Sequence, residues 1–359
     1  MTARWRILAV LVLLGGAGLL AVGLFAGQRY EAFLAAPLAM PPGENRLELR
    51  VQPGDPVRAV LERLERRGAT VNDWRWRLLL WREPVTIQAG EYAVPAGARP
   101  RDLLRQLARG AVIQYRFTIV EGWSWRQLRG ALLADERLAV DPERLSLDGV
   151  MAAIGSPEAH PEGWFLPETY AFTAGDDALD VLARAHAAMR AVLAEAWSDR
   201  AADLPLANPY ELLTLASIVE KESAVAAERP RIAGVFVRRL QRNWRLETDP
   251  TVIYGLGERY DGDIRSRDLR EDTPYNTYVH RGLPPTPIAM PGAAALRAAA
   301  RPAEGSAMFF VADGQGGHVF SETLAEHNRA VQDFLRRQRA GSPPDASRGK
   351  PPVDGEGAS

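Results

Sequence analysis

The chain contains no cysteine. Disulfides, thiolate nucleophiles and cysteine-type zinc sites are therefore excluded, and the absence is compatible with an oxidising compartment. It also lacks an excess of either charge. Forty-four Lys and Arg residues face 45 Asp and Glu, a formal net charge of −1, and that balance gives no reason to expect nucleic acid as a partner. Histidine is sparse, with five residues at 160, 186, 280, 318 and 327. None forms a metal-type pair with an acid on one helix, so no metal site is expected. No glycine-rich phosphate loop follows a strand, because neither Gly255-Leu256-Gly257 nor the 313–317 turn has that signature. No cofactor is expected, and no internal repeat is visible.

What is present begins with an apolar run. Residues 7–26 carry no charge, and at 1.5 Å per residue a helix there spans roughly 30 Å, the hydrocarbon thickness of a bilayer. Arg4 and Arg6 precede the run. The positive-inside rule then puts residues 1–6 in the cytoplasm and the rest of the chain across the membrane. A cleaved signal peptide is the alternative, but the run exceeds the usual apolar region of about 7–15 residues. The 359 residues, 47% hydrophobic and 25% charged, suffice for such an anchor plus one or two folded cores.

Beyond a proline-containing linker at 27–45, residues 46–110 read strand–helix–helix–strand followed by a helix ending at Gly110. Asp55 is expected to cap the first of these helices, with Pro56 at its first position. The tryptophans at 74, 76 and 81 read as packing and surface residues rather than a sugar platform. The order resembles, at fold level, a LysM-like βααβ module. Residues 111–338 read as a larger mixed α+β domain. A strand is expected over 112–120 and helices over 124–134, 178–196, 211–223 and 231–242. Residues 244–292 are rich in Pro, Gly, Thr and Asn and read as a long functional loop region. A hairpin turns at Asp313–Gly317, and Thr323-x-x-Glu326 is a capping box opening a last helix. Residues 339–359 read as a disordered tail. The fold class is thus α+β behind one transmembrane helix.

The helix ELLTLASIVEKES at 211–223 carries the chemistry-bearing acids. Leu212, Leu215, Ala216 and Val219 share one face. Glu220 and Glu222 lie about 200° apart on opposite flanks of it, so they cannot both address one bond. Glu222 lies beside Leu215 and Ile218, and an apolar surround raises a carboxyl pKa toward the range a general acid needs. Spacing alone favours two solvated surface acids beside Lys221.

The stretches LTLASIVEKESAVAAERPRIAGVFVRRL (213–240), LETDPTVIYGLGERYDG (246–262), YNTYVHRGLPPTPIAMPG (275–292) and FVADGQGGHVFSETLAEHN (310–328) resemble the endolytic murein transglycosylase family, also called YceG-like. VEGWS (120–124) and EGWFLPETY (162–170) fit in the same order. The resemblance implies a lyase of peptidoglycan glycan strands at the inner membrane, cooperating with peptidoglycan synthases. It implies Glu222 as the single acid and then base, with Glu220 as the runner-up. Tyr254, Tyr275, Asn276 and Tyr278 are candidate sugar-binding residues, with turn formation as the competing role for Asn276. Asp249 reads rather as a turn former, Trp164 as packing, and Arg238, Arg239 and Arg242 as a solvated basic helix end. A hydrolytic muramidase and a non-enzymatic wall-binding scaffold remain as alternatives.

Overall fold

The computed structural model describes residues 3–341 except 42, 157, 159 and 224. The chain divides into two compact units. The first comprises residues 1–117 with 136–139 and 171–177, and the second comprises 118–135, 140–170 and 178–359.

In the first unit, α1 (Ala3–Ala35) is a continuous helix whose span Leu8–Ala35 is long and apolar enough to cross a membrane. It runs past the expected end of the apolar segment, so residues 27–35 are helix rather than linker. The reason is packing: Tyr30, Phe33 and Leu34 enter the unit's hydrophobic core. Strand β1 (Arg46–Val51) pairs antiparallel with β2 (Gly90–Pro95), from Arg46 opposite Pro95 to Val51 opposite Gly90. Leu47, Leu49 and Val51 point inward, as alternation requires.

Between the strands lie α2 (Val57–Arg66) and α3 (Trp74–Arg82), and α4 (Pro100–Arg109) follows. Their buried Val60, Leu64, Trp76, Leu79, Leu103 and Leu107 complete the core. Helix α2 starts one residue later than expected. Pro56 occupies the cap position, and the Asp55 carboxylate instead accepts the Gln52 N–H and an Arg63 guanidinium N–H. Gly110 ends α4 with φ +63, a left-handed cap that glycine adopts without a Cβ penalty.

Strands β3 (Tyr115–Thr118) and β4 (Thr169–Phe172) form a second two-stranded sheet. The strand expected over 112–120 is therefore shorter, and its partner was not anticipated. In the second unit, Ser124 caps α5 (Trp125–Ala134) through a box with Gln127, and the short α6 (Val150–Ala153) follows. The packed centre is helical. Helix α8 (Pro209–Glu222) lies against α7 (Ala178–Ser198), α9 (Arg229–Gln241), α10 (Asp249–Leu256) and α11 (Ala293–Ala300).

Two of those helices correct the sequence reading. Helix α10 interrupts the stretch expected to be loop, and the alanine-rich α11 was not foreseen. Strands β5 (Phe309–Ala312) and β6 (His318–Ser321) form the expected hairpin, paired from Phe309 opposite Ser321 to Ala312 opposite His318. Helix α12 (Leu324–Gly341) opens on the Thr323–Glu326 box, with the Glu326 N–H on Thr323 Oγ1 and the Thr323 N–H on a Glu326 oxygen. The tail expected from 339 lies, from 342 onward, outside the described residues.

Candidate functional site

Nearly all of α8 is buried, from Leu212 to Glu220, because helices surround it. Asn208 caps it by accepting the Glu211 N–H, and Pro209 takes the first helical position, where no N–H is needed. At its end Lys221 points to solvent, while Glu220 and Glu222 are directed into the structure around the helix. The two glutamates separated by Lys221 consequently meet different surroundings.

Glu220 is paired on both sides. Its side chain is 4% exposed, and its Oε1 lies 2.7 Å from the Arg229 guanidinium. Its Oε2 accepts the Gly292 N–H at 2.9 Å, tying α8 to the start of α11. Burial pushes this carboxyl up, while the Gly292 N–H and Arg229 pull it back. Both oxygens are thus occupied by protein donors.

Glu222 is the last residue of α8 and is half-buried. Burial pushes its carboxyl up to about 7, against the pull of a hydrogen bond donated by Thr248 Oγ1. The negative charge of Asp249 raises it further, while His318 and Arg239 lower it. A helix C-terminus also disfavours an anion by a few tenths of a kcal/mol. The carboxyl is therefore poised between protonated and ionised near neutrality.

The residues around it are held by a rigid turn. Thr248 and Asp249 begin α10, directly after Glu247, whose φ of +49 is unusual for a residue with a side chain. That turn is fixed by the buried Thr277. Its carbonyl accepts the Glu247 N–H, its hydroxyl accepts the Thr248 N–H at 3.1 Å, and it exchanges a hydrogen bond with Thr251. Tyr278 donates its hydroxyl to Asp249 Oδ1 at 2.6 Å. Burial, this hydrogen bond and the nearby carboxylates all raise the Tyr278 pKa, keeping it a neutral donor.

Opposite in sequence but close in space, His318 is bound by Glu228 twice. The backbone N–H lies 2.9 Å from one carboxylate oxygen, and ring Nδ1 lies 2.7 Å from the other. Arg239 is buried rather than solvated, its guanidinium donating to the carbonyls of Met308 and Leu246 at 2.9 and 2.7 Å. Arg238 likewise donates to the carbonyls of Ala307 and Ala303. Arg242 is exposed, as expected, but Arg238 and Arg239 brace residues 303–308 and the 245–246 segment from inside.

The sequence candidates separate into distinct roles. Tyr278 sits beside Asp249 and feels the charge of Glu222. Asn276 is 1% exposed and donates to the carbonyls of Asp268, Leu269 and Glu271 while accepting the Tyr278 N–H. Those bonds use its amide to build the loop that presents Tyr278, the turn role set against sugar binding above. Tyr254 and Tyr275 pack against each other with ring centroids 4.7 Å apart and planes tilted by 57°, and the Tyr275 hydroxyl pairs with Thr286. The Tyr254 hydroxyl donates to Glu162 at 2.9 Å.

Glu162 is a second unusual acid, which sequence reasoning passed over. It is 2% exposed and accepts the Trp125 N–H at 3.0 Å on each oxygen, besides the Tyr254 hydroxyl. Burial pushes it to about 7, against the pull of these donors and of Lys221. Next to it, Gly163 has φ +84, and a Cβ there would lie 2.6 Å from Pro287, so only glycine fits. The signal available was the proximity of an acid to two buried aromatic motifs, but its donors come from residues 37 and 92 positions away. Trp164 is buried and stacks on Tyr210 at 6.0 Å, a packing role. Among the described residues, no cluster of acids and histidines is arranged to hold a metal ion.

An α+β unit built around a buried helix, ending in a half-buried carboxyl with neutral hydroxyl donors nearby, defines the class. The chain belongs to the YceG-like family, which matches residues 49–333. It is 31% identical over 265 residues to a protein of Bacillus subtilis strain 168 named endolytic murein transglycosylase, a match spanning 69% of this chain and 73% of that one. A protein of the same name from Streptococcus pneumoniae strain D39 is 28% identical over 282 residues, covering 69% of this chain and 51% of the other. The chain therefore spans about half the length of that pneumococcal relative. A solved YceG-like protein from Listeria monocytogenes superposes with a TM-score of 0.53 at 26% identity, covering 79% of this chain and 98% of that one.

Proposed function

We propose that this chain is a lytic transglycosylase that cuts within nascent peptidoglycan strands, with Glu222 as its one catalytic acid and base. The observation that carries the reading is the contrast at the end of α8: Glu220 has both oxygens occupied by Arg229 and Gly292, whereas burial brings Glu222 to about 7 with a single hydroxyl donor. The curated relatives' names supply the substrate.

In this reading, protonated Glu222 gives its proton to the glycosidic oxygen between N-acetylmuramic acid and N-acetylglucosamine. The bond from that oxygen to muramyl C1 breaks, with positive charge developing at C1 or shared with the N-acetyl oxygen. The carboxylate now takes the proton of the same sugar's 6-hydroxyl, and that oxygen closes on C1. The product carries a 1,6-anhydro end and no water is consumed. Thr248 orients the Glu222 carboxyl. Tyr278 and Asp249 form the adjoining polar wall for the sugar, and Tyr254, Tyr275 and Asn276 remain candidate sugar-binding residues.

In the scaffold alternative, the LysM-like first module would hold glycan. α1 would anchor the chain in the inner membrane with its N-terminus in the cytoplasm, beside the synthases whose strands it shortens. A second reading, hydrolysis by a water-using muramidase, draws support from Asp249, a second acid whose charge reaches Glu222.

Mass spectrometry of digested peptidoglycan separates the two. Anhydromuramic ends are expected, and reducing ends would favour hydrolysis. Glu222→Gln is expected to abolish cleavage with the fold intact. Glu220→Gln is expected to lower stability by about 3 kcal/mol, because it leaves the buried Arg229 with only the more distant, half-exposed Glu121 carboxylate at 3.4 Å. A Glu222→Gln protein with full activity would remove the proposal. One that binds glycan while the wild type leaves it uncut would make the protein a scaffold.

A further inference from the structure

The first unit carries a surface that its own core does not explain. On α3, Trp76 and Leu79 face inward, while Trp74, Arg77 and Trp81 follow one another at helical spacing along the opposite side. Trp81 is 79% exposed, an unfavourable place for a large indole in water.

The position of this helix along α1 is fixed by two contacts. The first turn of α3 meets Phe33, with the Trp76 ring 5.2 Å away and the Arg75 guanidinium over the same ring at 5.1 Å. Its last residue, Arg82, lies over the Tyr30 ring at 5.2 Å. Helix α3 therefore runs back along α1 toward the apolar run. That run ends at residue 26, and Tyr30 is about 6 Å further along the helix. The headgroup layer beyond the hydrocarbon is about 5–8 Å deep on each side. Arg29, over the Phe25 ring at 5.1 Å, stands at the same level.

We infer that the C-terminal end of α3 is a lipid-contact surface. Trp81 seats in the headgroup layer of the bilayer that α1 spans, and Arg29, Arg77 and Arg82 meet lipid phosphates there. Indole rings favour this layer because it is apolar on one side and wet on the other, and guanidinium groups bind phosphate in a planar fork. The contact would hold the first unit at a set height and tilt rather than on a free tether. The inference rests on α1 being a membrane anchor.

Because the chain has no cysteine, single-cysteine spin labels report depth without background. The full-length protein in phosphatidylglycerol nanodiscs is labelled separately at Trp81→Cys, Pro84→Cys, Leu14→Cys and Arg58→Cys. The ratio of oxygen to nickel-chelate accessibility is then read. Leu14 reports the hydrocarbon and Arg58, exposed on α2, reports water. The expected result is a ratio at 81 and 84 severalfold above that at 58 and below that at 14. Ratios at 81 and 84 equal to that at 58, with 14 in hydrocarbon, overturn the lipid contact and leave the anchor standing. A water-like ratio at 14 overturns the anchor and the contact together.

Discussion

At the residue scale, burial holds two carboxyls poised between protonated and ionised near neutrality, where a surface acid would be ionised. Glu222 and Glu162 are both pushed to about 7, chiefly by burial, from an ordinary 4.5. In the unfolded chain both ionise near that ordinary value. The native state therefore has its full advantage from these groups below about pH 4.5 and loses it as pH rises through about 7. The loss is on the order of 3 kcal/mol for each group once both are ionised. Thermal unfolding should show a falling Tm between about pH 4.5 and 7. Glu222→Gln and Glu162→Gln should each flatten part of that slope, and an unchanged slope in both would show that neither group is neutral in the fold. In the proposed mechanism cleavage needs protonated Glu222, so turnover should fall on the alkaline side of about pH 7 while folded protein remains.

At the element scale, the turn between α9 and α10 and the 268–278 loop set the geometry around Glu222. Asn276 closes that loop through three carbonyls, and Gly163 lets residues 162–164 approach Pro287. Asn276→Ala leaves those buried carbonyls without a donor, at about 1–3 kcal/mol. It should lower kcat more than the stability loss explains, because the Tyr278 N–H loses its anchor as well. Gly163→Ala should be destabilising by more than the roughly 1 kcal/mol of an ordinary glycine replacement, since its Cβ meets Pro287. Denaturant midpoints for both variants, with activity measured on the folded fraction, check these outcomes. Wild-type kcat in folded Asn276→Ala would free Tyr278 of any role.

At the scale of the whole molecule, local patterns were legible and long-range partners were not. The alternation of Leu47, Leu49 and Val51 indicated the first strand, and the Thr323–Glu326 box marked the last helix start, because each depends on near neighbours. The periodicity of residues 211–223 placed Glu220 and Glu222 on opposite flanks, and their separate partners follow from that. It did not tell which acid meets Arg229 and which meets Thr248, since those residues arrive from α9 and α10. Asp249 read as a turn former because Asp-Pro opens turns; it also opens α10 and faces Tyr278. Glu162 was invisible as a buried acid because its donors are Trp125 and Tyr254. Residues 27–35 read as linker because their composition turns polar there, but Tyr30, Phe33 and Leu34 recur at helical spacing and bury in the first unit.

In the proposed reaction one carboxyl gives a proton and takes one back, with the sugar's own hydroxyl as nucleophile. Digesting peptidoglycan with the full-length protein in oxygen-18 water tests it most directly. The account predicts anhydromuramic ends without the heavy isotope, and no new ends from Glu222→Gln. Reducing ends carrying oxygen-18, or undiminished cutting by Glu222→Gln, would contradict it.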